Sequence, residues 1–187
     1  MTINNYYDKL CKVVIDNLDY IPSSVAVLGD TKHLLDSYLE APASTRWHSN
    51  GEGGLALHTY LVMRSVFDTF GEFNNMTSID MCDLVTAVLW HDMGKIGLVD
   101  KTGKVIARYY IKSGDGDYYY NKGLRLTHQE LSCMIYTTFV DNISVDVCKA
   151  IRFHNMLYTD TYKVIGEETP LMLALHWADM VASRFCE

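Results

Sequence analysis

Four side chains of metal-ligand type stand where the hydrophobic pattern of this chain calls for apolar ones. His58 in GGLALH, His91 and Asp92 in LWHDMGK, and Asp179 in LHWADM each fall on the apolar stripe of a predicted helix. A polar group at such a position needs a partner, because burying it unsatisfied is costly. The stripe Leu84, Val85, Val88 and Leu89 runs at helical spacing onto His91 and Asp92, and Gly94 supplies the stop. Leu55, Val62 and Val66 flank His58 at spacings of three and four, and Leu171, Leu175 and Ala182 bracket Asp179 in the same way. One such residue alone reads as a hydrogen-bonded core group. Four on three stripes read as one divalent metal site, built where three helices meet.

Imidazole nitrogen mixed with carboxylate oxygen suits Mn, Fe, Co, Ni or Zn better than Mg or Ca, which favour all-oxygen shells. Four protein ligands leave coordination positions open on such an ion, enough for water and a substrate oxygen, so metal-assisted hydrolysis is the chemistry expected.

A chain of 187 residues that is 49% hydrophobic is long enough for one domain with a sizeable core, and no linker or repeat divides it, so 1–187 is expected to be a single domain. The five cysteines are odd in number, scattered and without CxxC spacing, which fits reduced thiols in a cytoplasmic protein. No basic lead precedes an apolar run at the start, and no apolar stretch approaches the roughly 20 residues that span a bilayer, so no membrane association is expected. The net charge of -7 argues against a grip on duplex DNA, so that among nucleotide-type substrates a small nucleotide or short oligonucleotide fits better. Oligomeric state is left open.

The periodicity predicts an all-α fold. Helices are expected over 5–18, 31–39, 54–70, 78–93, 127–139, 144–154 and 169–184. Thr127 with Glu130 three residues on forms a capping-box signature. The pattern breaks between Ile96 and Lys122, where KVIARYYIK and DYYY flank the glycine-rich SGDGD, as in a small hairpin or an ordered loop. Lying between HDMGK and His128, this insertion is expected near the mouth of the site. There Tyr109, Tyr110, Tyr118, Tyr119 and Tyr120 either stack on a nucleobase or pack as edge-strand residues.

From about Ala41 to Arg184, the order H, HD, D resembles the HD superfamily of metal-dependent phosphohydrolases. The nearest likeness is to the HD domain of 3′ to 5′ exoribonucleases, in APASTRWHSNGEGGLALHT, THQELS, and FHN followed by ETPLMLALHWADM. The resemblance implies a helical HD-domain bundle with His58, His91, Asp92 and Asp179 as metal ligands. It also implies Asp92 and Lys95 as catalytic groups, the lysine acting as a point charge beside the phosphate. It places His128 and His154 where two-metal members bind a second ion bridged by Asp92; the alternative is that both meet the substrate phosphate or line the pocket. Phe153 stands where the family often has another histidine, which favours one tight ion over two. His48, Arg46, Lys122 and Arg152 are further candidates for substrate binding, although solvated surface cations are the commoner fate of such arginines and lysines. His33 and His176 read as structural. No nucleic-acid-binding module accompanies the domain. A nucleotide phosphohydrolase is therefore expected, with two alternatives: a phosphodiesterase or 3′ to 5′ exonuclease on short or cyclic oligonucleotides, and a non-catalytic nucleotide-binding module.

Overall fold

The computed structural model describes residues 5–45, 49–70, 79–155 and 168–186. Among the described residues there are eight α-helices: α1 (Asn5–Leu18), α2 (Ser23–Asp30), α3 (Lys32–Glu40), α4 (Gly54–Phe70), α5 (Met81–Trp90), α6 (His128–Phe139), α7 (Val145–Phe153) and α8 (Pro170–Val181). Their starts follow from local chemistry. Asp80 accepts from the backbone of Cys82 and Asp83 to begin α5, Ser144 from Val147 to begin α7, and Thr169, followed by Pro170, from Met172 to begin α8. The capping box at α6 is complete, with the Thr127 side chain on the Glu130 amide and the Glu130 carboxylate on the Thr127 amide.

The mainly helical architecture agrees with the periodicity, and two details differ. The segment before α3, which carries no predicted element, folds as α2, with buried Val25 and Leu28. Buried Trp90 on α5 fixes this short helix by donating from Nε1 to the Ser24 carbonyl at 3.1 Å, and the Ser24 and Thr86 hydroxyls pair at 2.7 Å. The expected helix over 78–93 ends at Trp90. His91 and Asp92 follow as a turn, and 93–96 tightens into a 3-10 turn. Close packing on α6 explains the tightening: a Cβ on Gly94 would lie 2.0 Å from the His128 carbonyl oxygen, so only glycine lets the two segments touch.

At the centre lies α4, against α1, α3, α5 and α8. Its buried residues include Leu55, Val62, Met63 and Val66, which join Leu84, Val88, Leu171 and Leu175 in one core. His58 shares that face.

The insertion contains two antiparallel hairpins. β1 (Leu98–Val99) pairs with β2 (Val105–Ala107), and β3 (Tyr110–Lys112) pairs with β4 (Tyr118–Tyr120) in the register Tyr110 with Tyr120, Ile111 with Tyr119 and Lys112 with Tyr118. No helix of the described residues is long and apolar enough to cross a membrane. Cys11, Cys82, Cys133 and Cys148 are free, partly buried thiols.

Candidate metal centre

Asp92 is the hub. Its side chain is only 3% exposed, and its two oxygens face different partners. Oδ2 lies 3.5 Å from His58 Nε2, 3.4 Å from His91 Nε2 and 2.5 Å from Lys95 Nζ. Oδ1 lies 3.4 Å from His128 Nε2 and 3.5 Å from His154 Nε2. Asp179 closes the opposite side through Oδ1, 3.1 Å from His58 Nε2. Helices α4 and α8, the turn after α5, the start of α6 and the end of α7 thus each contribute a group. All four ligands expected from the sequence converge here, and His128 and His154 join them.

Hydrogen bonding fixes how two of the rings present themselves. A backbone carbonyl only accepts, so His91 donates from Nδ1 to Val88 at 2.7 Å and His154 from Nδ1 to Ile151 at 2.8 Å. Each ring is thereby fixed with Nε2 toward Asp92, the outer-shell arrangement that accompanies metal-ligating histidines. The rings also pack together, His91 edge-on to His154 with centroids 4.9 Å apart. One step further out, His176 donates from Nδ1 to the His154 carbonyl at 2.6 Å, a structural role in keeping with the sequence.

Burial would push the Asp92 carboxyl up. The Lys95 ammonium and the imidazoles of His91 and His154 outweigh it and hold Asp92 well below the usual carboxylate range. Asp179 is also lowered against the same burial effect, chiefly by His58. His128 goes the other way: burial, assisted by Lys95, pushes its pKa down to about 3 despite the attraction of Asp92, so the ring is neutral at ordinary pH.

These residues fit a divalent cation. His91 Nε2 and Asp92 Oδ1 are buried without a hydrogen-bond partner, an arrangement that costs stability unless something else engages them. Among the described residues, three sets of donors each lie within 4.8 Å of one another: His58, His91 and Asp92; His91, His154 and Asp179; and Asp92, His128 and His154. Asp92 belongs to the first and third. This buried histidine and aspartate cluster can hold a metal ion.

Other expected residues lie further out. Lys122 is exposed on the loop leading to α6. Arg152 reaches the capping carboxylate Glu130 at 3.4 Å and lies over the Phe153 ring, so its immediate partners are structural. Arg46 and His48 lie outside the described residues. His33 is exposed on α3.

Two neighbours of His128 carried no signal as ligand partners in the sequence. Asn155 places Nδ2 3.2 Å from His128 Nε2, and the Tyr109 hydroxyl lies 3.5 Å from Nδ1. The position of Asn155 directly after His154 was the only available hint. Among the tyrosines, Tyr109 is buried and Tyr120 donates to the Leu126 carbonyl, both packing roles, whereas Tyr119 is exposed. Compared with family models, curated proteins and solved structures, the chain gives no match.

Proposed function

We propose that this chain is a metal-dependent phosphohydrolase of the HD superfamily, acting on a phosphoester bond of a small nucleotide. One observation carries the reading: four histidines and a second aspartate from separate elements close on buried Asp92, with Lys95 at 2.5 Å from the same carboxylate. A structural core has little use for so many imidazoles and carboxylates in one buried place.

His58, His91, Asp92 and Asp179 would hold the ion, with His128 and His154 able to complete its shell or to share a second ion through Asp92. A bound divalent cation supplies Lewis acidity, which lowers the pKa of a water and draws charge from a phosphoryl oxygen. Lys95 sets a compact positive charge beside that position, where it neutralises phosphate oxygens as negative charge builds on them. His128, kept neutral by burial, offers a lone pair or an N–H to the substrate without adding charge. Asn155 and Tyr109 orient its ring.

Phosphodiesterase action on a short or cyclic oligonucleotide is the second reading. It draws on the aromatic β3–β4 hairpin beside Lys95, since tyrosine-rich surfaces beside a phosphate site are a common platform for bases. A product-resolved screen of Mn-loaded protein against nucleoside mono- and triphosphates, cyclic dinucleotides and single-stranded RNA separates the two. Inorganic phosphate or triphosphate released from mononucleotides supports the first; mononucleotides released from diesters support the second; no turnover of any contradicts both.

A further inference from the structure

A cavity of about 170 Å³ adjoins the metal centre, with Lys95 in its wall. Its other polar lining comes from Glu40, Arg108, Tyr110, Lys112 and Tyr118. Small-molecule sites are usually about 300–1,000 Å³, so this one takes a single group of a substrate rather than a whole nucleotide. Lys95 is paired with Asp92, and Arg108 and Lys112 against Glu40 still leave the cavity a positive balance in a protein whose net charge is -7.

The register of the hairpins builds that wall. Side chains two apart share a strand face, so Tyr110 and Lys112 point together, and the cross-strand partner Tyr118 carries the Lys112 ammonium 5.6 Å from its ring centre. Arg108 is anchored from the other side. Gly97, at φ +116°, ends the 3-10 turn that holds Lys95, and a Cβ there would lie 2.1 Å from the Ala107 carbonyl oxygen. The strand that delivers Arg108 is thereby pressed against the turn that delivers Lys95. Among the described residues the Arg108 guanidinium pairs with Glu40, at 3.5 Å with both side chains more than half exposed. Such a pair is weak and gives way to a phosphate, which the guanidinium fork grips through two hydrogen bonds.

We propose that this cavity is a subsite for a second phosphate of the substrate, a few bonds from the one that reacts, with Arg108 and Lys112 as its specificity-determining residues. That a neighbouring phosphate reacts rests on the phosphohydrolase reading; binding in the cavity does not. The second phosphate comes either from a polyphosphate chain or from the next link of an oligonucleotide.

Calorimetric titration of the full-length, metal-free chain tests this without turnover. The ligands are AMP, ADP and the 5′-phosphorylated dinucleotide pApA, for the native protein and for the R108A/K112A variant, whose altered side chains are exposed. The native protein is expected to bind ADP or pApA about tenfold or more tighter than AMP, the return on one or two charge-assisted hydrogen bonds. The variant loses that advantage. Preference for ADP identifies a polyphosphate, and preference for pApA a backbone phosphate. Equal affinity for all three ligands, no binding of any, or an advantage that survives in R108A/K112A overturns the subsite. If the expected binding pattern holds but the Mn-loaded protein hydrolyses none of the three, the subsite stands and the hydrolase reading falls.

Discussion

Lys95 and Asp92 neutralise each other in a nearly dry site, and that pairing makes the metal-free protein vulnerable. Removing one partner of a buried pair leaves the other uncompensated, at a cost of about 3–5 kcal/mol. Lys95→Met is therefore expected to lower the melting temperature of the metal-free protein sharply. Added Mn²⁺ should recover more stability in this variant than in the native chain, because the cation replaces the missing charge; an equal metal-induced shift in both would show that Lys95 does not balance Asp92. The same variant, metal-loaded, should lose about 10²-fold in turnover, the scale of removing one electrostatic stabiliser. Proton linkage points to acid sensitivity. His128 titrates near 6.5 when unfolded but at about 3 in the fold. Between those values the unfolded chain binds the extra proton, so stability falls as pH drops through that window. Asp92 acts in the same direction at lower pH: its depressed carboxyl stabilises the fold above its unfolded pKa, and that contribution is lost as pH falls through the folded value. Melting temperature against pH should be flatter between pH 6.5 and 4 for metal-free His128→Gln than for the native protein, and parallel curves would contradict this linkage.

Helix α4, the turn after α5 and helix α8 could be read as ligand-bearing elements because each aligns its polar group with an apolar stripe, and such alignment is a local property. The end of α5 was less legible. Its helix stops at Trp90 because the following turn packs through Gly94 onto α6, a contact between segments far apart in sequence. Gly94→Ala should force those segments apart, costing about 1–3 kcal/mol as overpacking does and weakening metal binding through the displaced Asp92. Native-like metal affinity in that variant would show that the contact does not position the site. The short α2 escaped notice because Trp90 and Thr86 of α5 supply its anchoring hydrogen bonds. The wall formed by Arg108, Tyr110 and Lys112 escaped for a similar reason. Which tyrosines face the cavity depends on the register of β3 with β4, and periodicity cannot distinguish Tyr110 from Tyr119 when four of the six paired positions are tyrosines.

At the scale of the molecule, helices pack on α4 through one apolar core, the histidine and aspartate cluster is set into that core, and the cavity beside it is walled by the hairpin insertion. The hydrophobic core on α4 holds His58 in place, α8 brings Asp179 against it, and α6 and α7 deliver two more imidazoles to the far oxygen of Asp92. The histidines were readable as site candidates one by one. Their division between the two Asp92 oxygens needed the folded arrangement. The most direct test is metal analysis by equilibrium dialysis against Mn²⁺, on the native protein and Asp92→Asn, with turnover measured on the same samples. The native chain should retain at least one equivalent and hydrolyse a nucleotide phosphoester, and Asp92→Asn should lose both while keeping its helical circular dichroism. A folded Asp92→Asn protein that binds and turns over as the native one does would contradict the assignment of Asp92 as the hub of a catalytic metal centre.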